Sequence, residues 1–247
     1  MPMVKFAMNG ILPVLTGVLL MGCSQLAARM DYSASDETDT RRQKDPACET
    51  GADPDQNVKL DLIRKLMDSG KLYAALAHLE ETRSTSPQSI YLRAEILRQT
   101  NREEKAAELY RSLLDGCMAG KGHHGLGLIA GKENKASEAV YYLQKAEAEL
   151  PTDARVRNDL GYALMLDGQL DPARDEFLTA LELKGNDPLA AANMVLLLAI
   201  MGKEQEMQAF ASYMNIDPET VTQLRKQAEK IKASAENSDK QSTAAPP

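Results

Sequence analysis

Residues that close helices recur along this chain at a nearly constant spacing. Glycine or asparagine stands at intervals of 31, 33, 34 and 34 residues, at Gly70, Asn101, Asn134, Gly168 and Gly202. These two residue types best tolerate the left-handed backbone conformation that ends a helix. A period of about 34 residues is typical of stacked helical hairpins, because one hairpin alone is too small to bury its apolar face. The spacing predicts five repeats, of which the first two are irregular.

Small residues stand at two fixed distances from these turns. Five residues after the first four turns, where crossing helices leave little room, the chain has Ala75, Ala106, Ala139 and Ala173. Met207 takes this place in the fifth repeat, which predicts looser packing there. Seven residues before the turns stand Ile63, Ala94, Gly127, Gly161 and Val195, three of which are small. No segment alternates convincingly with the period of two that a strand requires, so the predicted fold class is all-α.

The segment ARVRNDLGYALMLDGQLDPARDEFLTALEL, residues 154–183, carries the whole pattern. It resembles the tetratricopeptide repeat, which runs Leu-Gly-x-x-Tyr, then Gly, then Ala, Phe and Ala. The resemblance implies a solenoid of about five helix-turn-helix repeats. A capping helix is expected to follow, because Asp217 can cap a helix and Pro218 suits its first position. The apolar face of that helix would consist of Val221, Leu224, Ala228 and Ile231.

The first 22 residues have the layout of a secretory signal peptide. Lys5 supplies a positive charge, and the mostly apolar stretch at 6–21 falls short of the about 20 uninterrupted apolar residues that span a bilayer. The residues Leu-Met-Gly-Cys at 20–23 resemble the bacterial lipobox, which implies cleavage before Cys23 and covalent lipid on its sulfur. The residue after Cys23 is Ser24, whereas Asp at that position signals inner-membrane retention in enterobacteria. The resemblance therefore implies a lipid-anchored protein on the periplasmic face of the outer membrane.

Composition divides the rest of the chain into three parts. Residues 23–55 are acidic with few large apolar side chains, which predicts a flexible linker after the lipidated cysteine. Residues 56–233 form the predicted repeat domain with its capping helix, and 234–247 form a predicted disordered tail.

The net charge of −7 argues against a nucleic-acid partner. The periplasm permits a disulfide between Cys48 and Cys117, but two free thiols are the favoured prediction.

One stretch imitates a catalytic motif. The sequence HHGLGLIAGK at 123–132 lacks both the first glycine and the final hydroxyl of a phosphate-binding loop, and helix packing explains its glycines. His123 and His124 are adjacent, so they point to different faces of a helix and cannot easily bind one metal ion. Together with His78 they are predicted to be surface histidines. We predict a protein that is not an enzyme and that has no metal or cofactor apart from the covalent lipid.

The resemblance also implies a binding surface. In a tetratricopeptide solenoid the first helix of each pair lines a concave face, with positions 2, 5, 9 and 12 of each repeat pointing into it. Apolar, amide and basic side chains there can hold an extended or helical peptide. We expect a protein partner and no small-molecule substrate. The candidate groove residues are Arg64, Met67, Tyr91, Arg98, Lys121, His124, Leu128, Arg155, Asn158, Tyr162, Met165, Asn193 and Leu196.

The run ARVRNDLGYALMLDGQLDPAR, together with the lipobox, looks like the TadD family of tight-adherence (Tad/Flp) pilus assembly lipoproteins over about Asp55 to Leu198. The family implies a noncatalytic, pilotin-like role, in which the lipoprotein binds a secretin subunit or another pilus-assembly protein and supports its multimerisation in the outer membrane. Two alternatives stay open. One is a repeat lipoprotein of outer-membrane β-barrel assembly, against which the long linker and the 4% aromatic content argue. The other is a periplasmic adaptor that recruits cell-wall hydrolases or proteases.

Overall fold

Five residues with a left-handed backbone join the helices of this chain in pairs. The computed structural model describes residues 54–185 and 187–243. The five predicted turn residues have positive φ angles of 71°, 56°, 59°, 79° and 72°, at Gly70, Asn101, Asn134, Gly168 and Gly202. Each residue ends one helix and turns the chain so that the next helix packs against it. The predicted turn positions are confirmed.

Eleven helices lie in the described residues, and no strand is found among them. We call the first helix of each pair the A helix and the second the B helix. The A helices are α1 (Pro54–Asp68), α3 (Pro87–Gln99), α5 (Ala119–Lys132), α7 (Ala154–Leu166) and α9 (Pro188–Ile200). The B helices are α2 (Leu72–Thr82), α4 (Glu103–Arg111), α6 (Ala136–Glu149), α8 (Leu170–Leu183) and α10 (Glu204–Tyr213). The terminal helix α11 spans Pro218–Thr243, and the predicted all-α repeat fold is confirmed.

The small residues occupy the crossings of paired helices, as predicted. Ala75, Ala106, Ala139 and Ala173 are all buried. A Cβ atom on Gly161 would lie 2.8 Å from the Phe177 ring and 3.1 Å from the Ala173 carbonyl oxygen, so the pair α7–α8 depends on the missing side chain. Met207 is also fully buried, so the fifth repeat encloses its larger side chain rather than packing it loosely.

Side-chain caps begin most of the A helices. Ser86, Asp153 and Asp187 each accept a hydrogen bond from a backbone N–H of the first turn of α3, α7 and α9. Such a cap stabilises a helix by about 1 kcal/mol. At α5 the capping position is Met118, which cannot do this. The third repeat therefore begins its A helix without a local signal.

The helix α5 is also rich in glycine, and its neighbours fill the space that the missing side chains leave. A Cβ atom on Gly125 would lie 2.3 Å from two atoms of the Tyr110 ring. One on Gly127 would lie 2.6 Å from Leu143, and one on Gly120 would lie 2.7 Å from Leu150. The helix is thus held by close tertiary contacts on several sides, although glycine itself disfavours helix formation.

Three apolar clusters follow one another along the repeats. The first joins α1, α2 and α3, and the second joins α3, α4 and α5. Tyr91 packs against both of these clusters. The third and largest cluster runs from α5 to α11. Neighbouring repeats therefore share their buried side chains, as the stacking of repeats requires.

The terminal helix covers the last repeat. Ala228 is buried, and Val221, Leu224 and Ile231 pack against the third cluster, so the predicted apolar face is confirmed. Asp217 accepts a hydrogen bond from Thr220 N over 2.8 Å, as expected of a cap. The helix continues to Thr243, whereas the sequence predicts a domain boundary at 233 and a disordered tail from 234. The predicted boundary falls inside this helix.

Other predictions concern the amino-terminal region. The predicted signal peptide at 1–22, the lipidated Cys23 and the linker as far as residue 53 lie outside the described residues. The first helix begins at Pro54, two residues before the predicted start of the domain. Within the part of the chain that is described, no helix is both long enough and apolar enough to cross a membrane.

Cys117 lies in the connection between α4 and α5 and is disulfide-bonded. The prediction of a free thiol at this position is wrong. Spacing in the sequence cannot show whether folding brings two cysteines together, so composition alone had no means of detecting the bond. The other cysteines of the chain, Cys23 and Cys48, lie outside the described residues.

Candidate functional site

Polar side chains lie on the A helices of four successive repeats, and hydrogen bonds connect those of α5, α7 and α9; we call this set the polar strip. It consists of Tyr91, Glu95, Arg98, Lys121, His124, Asp153, Arg155, Asn158, Asp159 and Asn193. Most of these residues are partly or fully buried, so their polar groups need partners within the protein. The partners come from neighbouring repeats as well as from the same helix.

A chain of hydrogen bonds crosses from α5 to α9. His124 Nε2 lies 2.7 Å from Asp159 Oδ2. Because an ionised carboxylate can only accept, the imidazole nitrogen donates to it. Asn158 Nδ2 donates to Asp159 Oδ1 over 3.2 Å, and Asn193 Nδ2 donates to Asn158 Oδ1 over 2.9 Å. The two asparagines, 5% and 8% exposed, therefore bind each other within the polar strip.

An ion pair joins the starts of α5 and α7. Lys121 Nζ lies 2.6 Å from Asp153 Oδ2, while the other oxygen of Asp153 caps α7. Burial alone would raise the pKa of Asp153, but the ammonium of Lys121 and the nearby guanidinium of Arg155 lower it to about 2. The Arg155 guanidinium lies 3.8 Å from Asp153, and its side chain is 72% exposed. Among the charged residues of the polar strip, Arg155 is thus the one most open to solvent.

A tyrosine from the core reaches the polar strip. The Tyr110 hydroxyl donates to Glu95 Oε1, and Arg98 donates to Glu95 Oε2 over 2.9 Å. Gly125 makes this possible, because a side chain there would collide with the Tyr110 ring. Burial opposes ionisation of Glu95, but the Arg98 guanidinium and the Tyr110 hydroxyl hold its pKa below the usual value. Burial and the Glu95 carboxylate raise the pKa of Tyr110, so its hydroxyl stays protonated.

The structure brings together seven of the predicted candidates, namely Tyr91, Arg98, Lys121, His124, Arg155, Asn158 and Asn193. Arg64 forms a local ion pair with Asp61 on α1, with an Nη1–Oδ1 distance of 2.7 Å. Met67 on α1, Leu128 on α5 and Tyr162 on α7 are partly buried. Met165 and Leu196 are only 2% and 1% exposed and belong to the third apolar cluster. As core residues they present almost no surface to a ligand.

The histidines of the third repeat differ from the prediction. His123 and His124 are each 8% exposed, so the prediction of surface histidines is wrong for both and holds for His78. His123 stacks on Tyr142 with ring centroids 6.4 Å apart. Its Nδ1 atom lies 3.2 Å from Glu149 Oε1, but the angle is unsuitable for a hydrogen bond. Burial follows from the thick packing around α5, which helical spacing within α5 alone does not reveal.

Three carboxylates of the polar strip were not among the predicted candidates: Glu95, Asp153 and Asp159. Glu95 and Asp153 form ion pairs with Arg98 and Lys121, which would otherwise make the strip basic, and Asp159 accepts a hydrogen bond from His124. A signal for two of them exists in the sequence. Asp153 and Asp159, the partners of Lys121 and His124, lie 32 and 35 residues after them, which is about one repeat period. A carboxylate one repeat after a basic side chain is therefore the sequence pattern that indicates both pairs.

The comparisons with known proteins agree with this architecture. Tetratricopeptide-repeat family models match residues 60–120 and 132–195. The chain is also 35% identical over 206 residues to a tetratricopeptide-repeat protein of Pseudomonas aeruginosa, an alignment that covers 82% of this chain and 77% of that protein. This chain therefore belongs to the tetratricopeptide-repeat family. The relative in question is TPR repeat-containing protein PA4299 of strain PAO1.

Two solved structures have a similar fold at low sequence identity. PilW, described as a widely conserved type IV pilus biogenesis factor, aligns with a TM-score of 0.60 and 20% identity, covering 75% of this chain and 89% of that one. Pseudomonas aeruginosa PilF aligns with a TM-score of 0.57 and 19% identity, covering 72% and 87%. At this identity the likeness establishes the fold alone.

The family and the geometry define the class of site. Tetratricopeptide repeats generally act as noncatalytic scaffolds that bind protein partners. In the described part of the chain, no group of three or more His, Cys, Asp and Glu residues is arranged to hold a metal ion. The polar strip is the surface whose chemistry suits a peptide: amides for the backbone, a guanidinium for a carboxylate and the Tyr91 ring for apolar groups.

Proposed function

We propose that this chain is an outer-membrane lipoprotein of the TadD type, which binds a secretin subunit or another component of the tight-adherence (Tad/Flp) pilus and supports its assembly. Lipid on Cys23 anchors it to the periplasmic face of the outer membrane, since three acyl chains bind a bilayer stably and one does not. The repeats hold the client without covalent chemistry and without a cofactor. The family relationship and the pilus role stated for PilW support this proposal.

The polar strip carries the proposal. Two cations of the polar strip form short ion pairs: Arg98 with Glu95 at 2.9 Å, and Lys121 with Asp153 at 2.6 Å. Arg155 is exposed and 3.8 Å from its nearest carboxylate, so it can turn to an incoming acidic group. Tyr162 lies two helical turns along α7 and offers an apolar ring with a hydroxyl. These two residues are the proposed first contacts of a client peptide.

The test is a pull-down of the purified secretin by the repeat domain. Changing Arg155 and Tyr162 together to alanine should weaken binding by well over tenfold, since a charge-assisted contact contributes about 1–3 kcal/mol. The matched control changes Lys226 and Tyr213 to alanine, because both are exposed and lie outside the polar strip. Equal binding by both double variants would move the contact to another surface. No binding by the wild-type domain would point to a different client.

Asn158 is left intact in this test for a structural reason. Its side-chain oxygen accepts the buried Asn193 amide, so Asn158→Ala would leave that amide without a partner. An unpaired buried donor costs about 1–3 kcal/mol of stability. A binding defect of that variant could then reflect local unfolding rather than a lost contact.

The anchor is tested separately. Cys23→Ser should abolish incorporation of labelled palmitate and release the protein from the outer-membrane fraction, because the sulfur that carries the diacylglycerol is gone. The domain should remain helical by circular dichroism. If the variant still sediments with the outer membrane and still supports pilus formation, the lipobox interpretation is wrong.

A further inference from the structure

A groove lies between the neighbouring B helices α4 and α6, and we call it the acidic groove. It has a volume of about 380 Å³, which is within the range of about 300–1,000 Å³ that is usual for ligand sites. Its buried lining residues form the floor: Ala107 of α4 and Leu126, Ile129 and Ala130 of α5. None of the residues that line it belongs to the polar strip. The acidic groove is therefore a separate surface with an apolar floor.

The small size of one side chain sets the second repeat apart at this groove. Ala107 lies six residues after the turn residue Asn101. The residues at the same position of the first, third, fourth and fifth repeats are all larger, namely Leu76, Val140, Arg174 and Gln208. Ala107 has only a methyl group there, so it leaves space above the floor that a longer side chain would occupy.

The rim of the groove is acidic. Five glutamates line it, against one arginine and one lysine. Glu104 and Glu108 are exposed, lie one helical turn apart on α4, and form no ion pair in the described part of the chain. Like charges at this spacing repel each other and disfavour the helix, so a cation bound between them would stabilise α4. The other three glutamates already have lysine partners, which are Lys132 for Glu103 and Lys135 for Glu133 and Glu138.

The charge of the rim limits the classes of ligand that the groove can accept. Carboxylates repel phosphate groups, so nucleic acids and anionic lipid headgroups are unsuitable. Within the described residues, no three His, Cys, Asp and Glu side chains are arranged to hold one metal ion. Glu104 and Glu108 therefore suit cations that are spread over a larger molecule. Lysine and arginine side chains meet this requirement, and their apolar stems can lie along an apolar floor.

We propose that the acidic groove binds a basic segment of a protein partner. An apolar side chain of that segment packs on the floor beside Ala107, and flanking lysine or arginine side chains pair with Glu104 and Glu108. The complementary charges select the segment, and burial of the apolar side chain supplies most of the affinity. This inference goes beyond the proposed function, because it depends neither on the polar strip nor on the client assigned to that surface.

Binding of synthetic peptides to the purified full-length chain tests the chemistry of the occupant. The probe is a short fluorescent peptide of alternating lysine and leucine pairs, and fluorescence anisotropy follows its binding. We expect saturable binding that weakens at high salt, because exposed ion pairs are screened. Glutamate in place of lysine should abolish binding. Serine in place of leucine should weaken it by about tenfold or more, since no apolar side chain then covers the floor. Failure of the lysine–leucine peptide to bind, or equal binding of the serine peptide, would overturn the proposal.

Two pairs of substitutions locate the binding site. Glu104→Gln with Glu108→Gln should weaken binding of the lysine–leucine peptide by about threefold to tenfold, because two exposed ion pairs are lost. The matched control is Asp171→Asn with Asp175→Asn. These exposed carboxylates lie at the same two positions of the fourth repeat, three and seven residues after its turn residue Gly168. Both double variants lose two negative charges, and the control should bind the peptide like the wild-type protein. Equal effects of the two pairs would show attraction to net charge alone and would contradict a site at α4.

Ala107→Leu tests the floor of the groove. Leucine stands at this position in the first repeat, as Leu76, so the repeat fold accommodates it. The longer side chain should occupy the groove and weaken peptide binding by about tenfold, while circular dichroism shows that the helices are retained. Arg155→Ala with Tyr162→Ala, which changes the contacts proposed for the secretin, should leave binding of this peptide unchanged. Loss of binding in that variant would place the peptide on the polar strip and refute the second site, whatever the outcome of the secretin pull-down.

Discussion

The A helices of the third and fourth repeats occupy equivalent positions but are stabilised in opposite ways. The fourth, α7, begins with an Asp153 cap and contains one glycine, Gly161, at the crossing with α8. The third, α5, has no cap and contains five glycines in 14 residues. Each glycine costs about 0.5–1 kcal/mol relative to alanine within a helix. A regular repeat is therefore specified locally, while an irregular one depends on its neighbours.

The neighbours of α5 stabilise this helix through close contacts. The glycine positions admit the side chains of Tyr110, Leu143 and Leu150 to the surface of the helix backbone. The closest of them, Tyr110, is fully buried and still reaches Glu95 on α3. The difference between the two repeats teaches that low helix propensity can be the condition for interlocking adjacent repeats. Four changes would break or sharpen the comparison.

The largest effect is expected in the regular repeat. Ala173→Trp places an indole where a fully buried alanine faces Gly161 across the α7–α8 crossing. Overpacking usually costs about 1–3 kcal/mol, and the size of this change should bring the loss to about 3 kcal/mol or more. Urea unfolding followed by circular dichroism measures it. Leu178→Trp, on the same helix but 40% exposed, should change stability little. Similar curves for both variants would contradict the packing described.

Gly125→Ala tests the irregular repeat. The new methyl group would lie 2.3 Å from the ring of Tyr110, which is fully buried and cannot move aside. We expect a loss of about 2–3 kcal/mol, although alanine is the better helix former. The matched change Gly161→Ala meets the Phe177 ring at 2.8 Å and should cost less. A Gly125→Ala variant as stable as the wild-type protein would show that Tyr110 does not pack against α5.

The Asp153 carboxylate at the start of α7 has no counterpart at the start of α5, so a change of pH distinguishes the two helices. The folded pKa of Asp153 is about 2, against an ordinary value of 3.8, so its ionised form favours folding by about 2 kcal/mol. Because the folded pKa is the lower one, this stability is present above about pH 4 and disappears as the pH falls through about 2. Asp153→Asn keeps a capping side chain but loses the charge. The stability difference between wild-type and variant proteins should therefore vanish in acid.

If that difference stays constant from neutral pH down to about pH 2, Lys121 does not depress the Asp153 pKa as the 2.6 Å ion pair requires. Lys121→Met provides the reciprocal control. Without the ammonium group, the pKa of Asp153 should rise, and most of the acid sensitivity of α7 should be lost with it.

The smallest effect has the opposite sign. Gly131 lies in the last turn of α5, and the nearest atom to a new Cβ is that of Ala139 at 4.0 Å, an ordinary contact. Gly131→Ala should therefore stabilise the protein by about 0.5–1 kcal/mol, since it removes a helix-disfavouring residue without a collision. Thermal unfolding beside Gly125→Ala is the measurement. A loss of stability would show that α5 has no spare room even at its end.

Local signals explain what the sequence could predict. The turns were predictable because glycine and asparagine tolerate positive φ whatever surrounds them, and the small residues followed by counting from those turns. The polar strip was predictable only in part. The repeat register located Arg155 and Asn158, but their availability depends on partners such as Asn193, which is 35 residues away. The buried histidines and the disulfide at Cys117 also depend on contacts that only the folded chain creates.

The hydrogen bond between Tyr110 and Glu95 also affects which ligands the polar strip can accept. A cation that drew Glu95 away would leave a fully buried hydroxyl without its acceptor, at a cost of about 1–3 kcal/mol. That cost corresponds to a penalty of about fivefold to 150-fold in affinity. The interior of the second repeat thus discriminates against positively charged ligands at α3, without touching them. Selectivity at this surface therefore depends partly on the position of Tyr110, whose ring packs against Gly125.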